Sequence, residues 1–415
     1  MQNWKIKLSL FLNYFVFAIL LNSVGTVILE VQNNFGVSEG AASVLEAFKD
    51  LSIAIVSFLV SSYITRIGYK KAMLIALGFI ALVCFFMPFT ASFGMTKLLF
   101  AAIGSSFALI KMSVYSAIGL VTKNDKEHIS LMNFLESFFM VGILSGYFIF
   151  SAFVDDKNPR STAWLNVYYL LGGIAALAFV LLLSAKLEES VAKSTENNSL
   201  IGEFGQLVQL AITPLVLVFI VSAFIYVMIE QSIMSWLPTF NKKVFNFSTV
   251  LSIQMSSILA ASTALGRFIA GVVLRKIQWL VFLLICLCAA GTLLFLAISN
   301  MPSTPTGSGI SAWSQAPMAA FLLPLIGILI APIYPAINSV ILSALPVQKH
   351  GLMSGLIIVF SAIGGTTGSI ITGHIFQAYG GKTAFYFVIF PMAVLAICLF
   401  IFKRLQTKTK TTAAF

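Results

Sequence analysis

Three charged residues lie close together in an otherwise apolar part of the sequence, LEAFKDL at Leu45–Leu51. Glu46 and Asp50 are four positions apart, so a helix places both on one face, with Lys49 beside them. Two neighbouring buried carboxyls suit a group that loads and releases protons near neutral pH, because like charge and burial both favour the neutral form. We therefore predict proton coupling at Glu46 and Asp50. The alternative is a self-neutralising cluster at the outer rim.

Lys111 lies in the middle of SSFALIKMSVYSAIGL, at Ser105–Leu120. A charge at the centre of a bilayer costs about 2.5–3.5 kcal/mol on insertion scales, so this lysine should face a cavity or a partner. Glu136 on the next predicted helix and Asp50 on the second predicted helix bracket it in depth, and Glu136 is a further predicted proton-coupling residue. We predict that Lys111 contacts the solute in a central cavity and pairs with one of these acids when the cavity is empty. The alternative is a permanent structural ion pair.

Polar and aromatic residues occur together again in YVMIEQSIMSW, at Tyr226–Trp236. Polar groups can take hydrogen bonds from sugar hydroxyls, and an aromatic ring can stack on the face of a sugar ring. We therefore predict that Tyr226, Glu230 and Gln231 bind a solute beside Trp236. The alternative for Glu230 is an acid near water at the outer end of its helix.

A second group of candidates lies further along the chain. Tyr334 and Asn338 are four positions apart, beside Pro332 and Pro335, where a broken helix frees carbonyl groups to line a cavity. We predict that both bind the solute, with a hinge or packing role as the alternative. Arg267 is predicted near the inner end of its helix, as a gate contact in preference to a solute contact.

These residues interrupt a chain of 415 residues that is 59% hydrophobic and 9% charged. Soluble domains carry about 25% charged residues. A helix needs about 20 apolar residues to cross a bilayer, whereas barrel strands are about ten residues long. Twelve such runs are predicted, at residues 8–30, 42–65, 72–93, 97–121, 130–153, 163–185, 207–236, 249–274, 278–299, 317–345, 352–377 and 383–403. The sequence therefore predicts an all-α polytopic membrane protein.

The loops predict how the chain is oriented and divided. With the N-terminus inside, sixteen Lys and Arg residues lie on inner segments and six on outer segments, so both termini are expected in the cytoplasm. This bias accounts for the net charge of +11 without a nucleic-acid partner. The longest polar stretch separates six helices from six. The predicted parts are an N-terminal bundle (1–185), a cytoplasmic linker (186–206), a C-terminal bundle (207–403) and a cytoplasmic tail (404–415).

The loop SSYITRIGYKK, Ser61–Lys71, resembles the signature G-x-x-x-D-R-x-G-R-[RK] of the major facilitator superfamily. Arg66, Gly68 and Lys70 match it, whereas Thr65 stands where the signature has Asp. The resemblance implies that the matching residues act at the cytoplasmic gate. It also implies two six-helix bundles that rock about a central cavity. The missing Asp removes part of the charge lock that the signature provides.

Four longer stretches are similar to one branch, the fucose:proton symporter family. They are EVQNNFGVS (Glu30–Ser38), GRFIAGVVLRK (Gly266–Lys276), IYPAINSVILSAL (Ile333–Leu345) and SGLIIVFSAIGGTTGSI (Ser354–Ile370). This resemblance implies proton-driven uptake of a sugar, with an acid on the first helix and a Glu on the fourth. The chain departs from the family at both places. Residues Asn22–Thr26 include no acid, and Lys111 occupies the Glu position; Asn22 is the predicted binding residue of the first helix.

Together these features predict a secondary transporter that works by alternating access and imports a small polar solute, such as a sugar or sugar derivative, with protons. It is expected to be a monomer in the plasma membrane, the inner membrane in a bacterium. No cofactor, metal site or enzymatic activity is expected, and no phosphate-binding loop of a primary pump occurs in the sequence. Three alternatives stay open: transport of an anionic solute without proton coupling, a subunit of a membrane enzyme or proton pump, and a sensor that does not transport.

Overall fold

The structure, a computed structural model, describes residues 4–61, 64–121, 125–185, 205, 208–301, 309–345 and 349–412. In this part of the chain the regular structure is helical, apart from an isolated bridge between Phe247 and Ile310. The predicted all-α class is therefore confirmed. The chain divides into two compact units. The first unit comprises Met1–Val37 and Leu45–Asn198, and the second comprises Ser38–Val44 and Ser199–Phe415.

The helices are numbered in chain order. Up to residue 184 they are α1 (Trp4–Asn22), α2 (Val24–Phe35), α3 (Glu39–Ala42), α4 (Val44–Ser61), α5 (Ile64–Ile67), α6 (Tyr69–Phe86), α7 (Phe93–Val121), α8 (Asp125–Ser151) and α9 (Val167–Ser184). From residue 214 they are α10 (Pro214–Met234), α11 (Leu237–Val244), α12 (Thr249–Val273), α13 (Trp279–Ser299), α14 (Met318–Leu322), α15 (Ile326–Ile330), α16 (Ile333–Ala344), α17 (His350–Phe387) and α18 (Ile389–Thr412).

The first predicted span is divided between α1 and α2 at Ser23. Two polar side chains turn back onto the preceding turn there: Asn22 Nδ2 donates to Ala18 O at 2.8 Å, and Ser23 Oγ donates to Leu20 O at 2.8 Å. Such bonds compete with the helical hydrogen bonds and bend helices. The predicted span 8–30 is therefore helical on both sides of Ser23, but it is not one uninterrupted helix.

The tenth predicted span, 317–345, is divided into α14, a 3₁₀ turn at Leu323–Leu325, α15 and α16. Pro324 lies in that turn and Pro332 immediately precedes α16. Proline has no N–H to donate and its ring clashes with the carbonyl four residues earlier, so a helix breaks near it. The break that the sequence predicts beside Pro332 is present, and it lies directly before Tyr334.

Helices α10 and α17 pack closely in the second unit because glycines form their contact. A Cβ atom added at Gly364 would lie 2.3 Å from Phe224 O, and one added at Gly368 would lie 2.3 Å from Met228 O. Small residues allow this approach between helices in lipid. α17 also continues beyond the predicted end at 377, and it bends at Gly380, where φ is +82°.

Ten stretches of the described residues are long and apolar enough to cross a membrane. α4 is not one of them, since it contains Glu46, Lys49 and Asp50. Two predicted spans, 352–377 and 383–403, fall within one continuous apolar stretch, Leu352–Thr407. The twelve predicted spans and the positions of the termini stay predictions.

Candidate functional site

The charged residues of α4 form a buried triad in the first unit. Lys49 Nζ lies 2.5 Å from Glu46 Oε1 and 3.4 Å from Asp50 Oδ1. All three are almost fully buried, with exposed fractions of 5%, 0% and 7% for Lys49, Glu46 and Asp50. The predicted face of the helix is therefore confirmed. With every group ionised, the triad has one more negative than positive charge.

Two neighbouring helices enclose this triad. The ammonium group of Lys49 also lies 3.5 Å from Leu21 O of α1. On the other side, Gly104 of α7 lies so close that an added Cβ would be 2.2 Å from Lys49 O. The triad is thus bordered by α1 and α7.

Lys111 lies on α7 and is half-buried. Its Nζ is 5.9 Å from the ring centroid of Phe107, within reach of a weak cation–π contact. The charge of Glu136, on α8, acts on Lys111. Of the two acids predicted as partners, Glu136 thus interacts with Lys111, whereas Asp50 is held by Lys49. The solute contact of Lys111 and the proton coupling of Glu136 stay predictions.

Asn22 lines a small cavity in the first unit, together with Ser23, Thr26 and Tyr147. The volume of this cavity is about 10 Å³, close to the space that one water molecule needs. The amide of Asn22 is partly occupied by its bond to Ala18 O. A cavity of this size does not hold a sugar, and the binding role of Asn22 stays a prediction.

In the second unit, four helices bring together the predicted solute residues. Tyr226 donates its hydroxyl to Glu230 Oε1 at 2.9 Å, one turn along α10. The rings of Tyr226 and Tyr334 are stacked, with centroids 5.4 Å apart and an interplanar angle of 20°. Arg267 Nη2 of α12 lies 3.8 Å from the same Glu230 oxygen. We call these residues, with Asn338 and Ser361, the tyrosine–arginine cluster.

Two members of this cluster were not predicted as part of a solute site. Ser361 of α17 forms a hydroxyl–hydroxyl hydrogen bond of 2.9 Å with Tyr334. Arg267 was predicted at the inner end of its helix, apart from Glu230, but its long side chain reaches that carboxylate. Simple depth counting along straight helices misses such a contact. No sequence signal separates Ser361 from the other serines of its helix.

Trp236 does not accompany Tyr226, in contrast to the prediction. Its side chain is fully buried, and Nε1 donates to Ser369 O at 3.1 Å. Its ring packs against Phe376, with centroids 5.6 Å apart. Trp236, in the turn between α10 and α11, is therefore a packing residue against α17. Gln231 is half-buried next to Glu230, and no described side-chain contact joins it to the cluster.

The predicted gate residues lie in the first unit. Lys70 donates to Leu183 O at 3.1 Å and to Ala185 O at 2.6 Å, at the carboxyl end of α9. A cation is favourable there because of the helix dipole. Gly68 has φ of +89° directly before α6, a conformation that a residue with a Cβ rarely adopts. The side chain of Arg66 lies outside the described part. The gating roles of these residues stay predictions.

The segment Ser38–Val44 belongs to the second unit, although residues of the first unit flank it on both sides. Glu39 forms an ion pair with Lys243, and Gly40 N donates to Gln377 Oε1 at 3.0 Å. Burial acts to raise the pKa of the Glu39 carboxyl, but the hydrogen bond and charge of Lys243 outweigh burial and lower it. An open cavity of about 650 Å³ lies between this segment and His374.

The described residues contain no group of three or more His, Cys, Asp and Glu side chains that could hold a metal ion. The four cysteines, Cys84, Cys286, Cys288 and Cys398, are free.

Comparison with known proteins identifies the family. The model of the Major Facilitator Superfamily matches residues 10–314, which is more than half of the chain. The chain belongs to this superfamily. The predicted superfamily is thus confirmed, and with it a transporter fold; members of this superfamily are transporters and not enzymes.

A curated relative is the protein TsgA homolog of Buchnera aphidicola subsp. Schizaphis graminum (strain Sg), 24% identical over 98% of this chain and 99% of that protein. A bacterial homolog of the human lysosomal transporter Spinster, inward-facing and occupied, has a TM-score of 0.78 at 15% identity, and the match covers 98% of both chains. A variant of the E. coli fucose:proton symporter has a TM-score of 0.61 at 15% identity, covering 98% of this chain and 99% of that one. The resemblance to the symporter therefore holds for the fold.

Proposed function

We propose that the protein is a secondary transporter that imports a small polar solute, such as a sugar or sugar derivative, together with protons. In this proposal twelve helices form two six-helix bundles, at residues 1–185 and 207–403, joined by a cytoplasmic linker. Both termini are cytoplasmic, and the protein is a monomer in the plasma membrane. Alternating access follows from the two-bundle organisation of such transporters.

The buried triad is the observation that carries proton coupling. Lys49 neutralises one of the two carboxylates, so the other, Asp50, keeps its charge only at a high cost in an apolar enclosure. A proton removes that cost. Glu46 is the closer partner of Lys49, and we therefore assign the exchangeable proton to Asp50.

The tyrosine–arginine cluster supports a polar solute. It combines the stacked rings of Tyr226 and Tyr334 with hydroxyl, amide and carboxylate groups. Ligand sites in proteins are commonly built in this way, from aromatic surfaces and a few polar groups that fix orientation. The fucose:proton symporter, which is similar in fold, is named for a sugar, and this agrees with a sugar as the proposed solute.

An anionic solute is a second candidate. Lys111 in the first unit and Arg267 in the second are both partly exposed cations. A sensor that binds the solute without moving it is a third candidate, which flux measurements separate from the other two.

A ligand screen followed by flux measurement tests the proposal. Purified protein is screened by thermal shift against sugars, sugar acids and sugar alcohols. Each compound that raises the melting temperature is then tested for uptake into liposomes with and without an inward proton gradient. We expect uptake that the gradient accelerates. Binding without uptake would favour the sensor, and uptake that ignores the gradient would contradict proton coupling.

A further inference from the structure

We propose that Arg267 binds the carboxylate of the solute in exchange for Glu230, and that the solute is therefore a sugar acid. This inference rests on the proposed function and names the class of solute. It assigns to Arg267 a binding role that the sequence alone does not favour.

The ion pair between Arg267 and Glu230 is loose. Its closest atoms, Arg267 Nη2 and Glu230 Oε1, are 3.8 Å apart, which exceeds the length of an N–H···O hydrogen bond. The same carboxylate oxygen accepts the Tyr226 hydroxyl at 2.9 Å. Glu230 is thus fixed by the tyrosine, and the guanidinium holds it by charge alone.

The guanidinium of Arg267 has N–H donors that its contact with Glu230 does not use. A guanidinium carries five N–H donors in a planar fork that matches a carboxylate. Arg267 Nε is buried and has no hydrogen-bond partner among the described residues. An unpaired buried donor is costly, so the contact with Glu230 leaves the guanidinium incompletely satisfied.

Exposure distinguishes this pair from the buried triad of the first unit. The side chain of Arg267 is 38% exposed and that of Glu230 is 17% exposed, so a solute can reach the guanidinium without unfolding the unit. The triad in the first unit, in contrast, is almost completely buried.

The rest of the cluster suits the sugar part of such a solute. Asn338 Oδ1 is buried without a hydrogen-bond partner among the described residues and can accept a hydroxyl. Tyr334 lies one turn away on α16, and its ring, stacked on that of Tyr226, presents an aromatic surface. A carboxylate at one end and hydroxyls on a ring are the features that these groups complement.

The test uses three probes with the same or a closely similar ring: D-glucuronate, its uncharged amide D-glucuronamide, and D-glucose. Binding to the purified full chain is measured by thermal shift at neutral pH, as a titration with each probe. The variants are Arg267→Gln, Arg267→Lys and Glu230→Gln. The control is Arg275→Gln, which removes an exposed cation shortly after the end of α12.

We expect glucuronate to bind at least about tenfold more tightly than glucuronamide, because a charge-assisted bidentate pair is strong. Arg267→Gln should remove this preference, and Arg267→Lys should retain part of it. Glu230→Gln should strengthen glucuronate binding by about three- to tenfold, since the competing carboxylate is gone. The opposite signs for the two partners exclude a purely structural pair. The melting temperature without probe shows whether each variant is folded.

Several outcomes would overturn the inference. If Glu230→Gln weakens glucuronate binding as much as Arg267→Gln does, the pair is structural. If a Lys111→Gln variant loses the preference and Arg267→Gln keeps it, the anion binds in the first unit. If glucose binds as tightly as glucuronate, the inference fails but a neutral sugar transporter stands. If no probe binds, both the inference and the proposed sugar class fail.

Discussion

The two units hold their buried charges in different ways. In the first unit, Glu46, Lys49 and Asp50 are packed within one helix turn, sealed, and unbalanced by one negative charge. In the second unit, Glu230 and Arg267 come from different helices, balance each other, and are partly exposed. The first arrangement is the one that we propose for the exchangeable proton, which is small enough to bind a carboxyl group in a buried position. The second leaves room and unused hydrogen-bonding atoms for a larger ligand.

Of the changes considered, removal of Lys49 from the triad of the first unit should lower the stability of the protein most. Lys49→Met leaves two buried carboxyls without a cation, and breaking a buried pair in this way costs about 3–5 kcal/mol. We expect a large fall in the melting temperature of the purified protein. Adding Glu46→Gln should restore part of the loss, whereas the exposed Lys157→Met should change little. A stable Lys49→Met protein would show that the triad is not sealed.

A larger residue in the contact between α10 and α17 should destabilise the second unit. Gly368→Ala places a Cβ 2.3 Å from Met228 O, so the helices must separate, at a cost of about 1–3 kcal/mol. Both the melting temperature and solute binding should fall, because Glu230 and Ser361 lie on these two helices. Gly355→Ala on the same helix is the control, since its Cβ would meet no atom within 4 Å. Equal effects of the two variants would contradict the tight contact.

Neutralising Asp50 should reduce proton-driven uptake without reducing the stability of the protein. Asp50→Asn removes the surplus charge and keeps the Glu46–Lys49 pair, so the melting temperature should change little. Gradient-driven uptake into liposomes should fall at least about tenfold, equivalent to about 1.4 kcal/mol, while solute exchange across the membrane persists. Asp156→Asn, in an exposed loop, is the control. Unchanged gradient-driven uptake would remove Asp50 from proton coupling.

A smaller change tests the tyrosine stack. Tyr334→Phe keeps the ring against Tyr226 but removes the hydrogen bond to Ser361. A solute that also bonds to this hydroxyl would lose about 1 kcal/mol of binding energy, so we expect solute affinity to fall by about fivefold in a binding titration. Tyr379→Phe makes the same chemical change at a side chain that is 73% exposed. Affinity unchanged by Tyr334→Phe would place the solute away from this hydroxyl.

The Glu39–Lys243 pair supplies a partly exposed reference for the buried triad of the first unit. Because the pKa of Glu39 is lowered in the folded protein, the pair stabilises above the unfolded pKa of a glutamate, about 4.3. That stability is lost as the pH falls through the lowered pKa. Lys243 is 42% exposed, so the contribution is at most about 1 kcal/mol. Glu39→Gln should lower the melting temperature slightly at neutral pH, and the difference should vanish in acid.

Part of this organisation could be predicted from the sequence. Long apolar runs must be helical in lipid because their backbone groups have no other partners, and a spacing of four places Glu46 and Asp50 on one face in any helix. The signature around Gly68 and Lys70 indicated the superfamily. Those predictions depend on local sequence alone.

The rest depends on how helices bend and cross. The break at Ser23 results from side chains that bond back to the helix, and the burial of Trp236 results from its contact with α17. The Glu230–Arg267 pair requires that two helices bring side chains of different predicted depth together. Periodicity along one helix contains no information about such contacts.

The placement of Ser38–Val44 in the second unit means that the polypeptide passes between the units three times, after Val37, Val44 and Asn198. The polar linker is therefore only one of the covalent tethers. If the linker were cut, Ser38–Val44 would still be joined to the first unit by peptide bonds and packed in the second unit through Glu39 and Gly40.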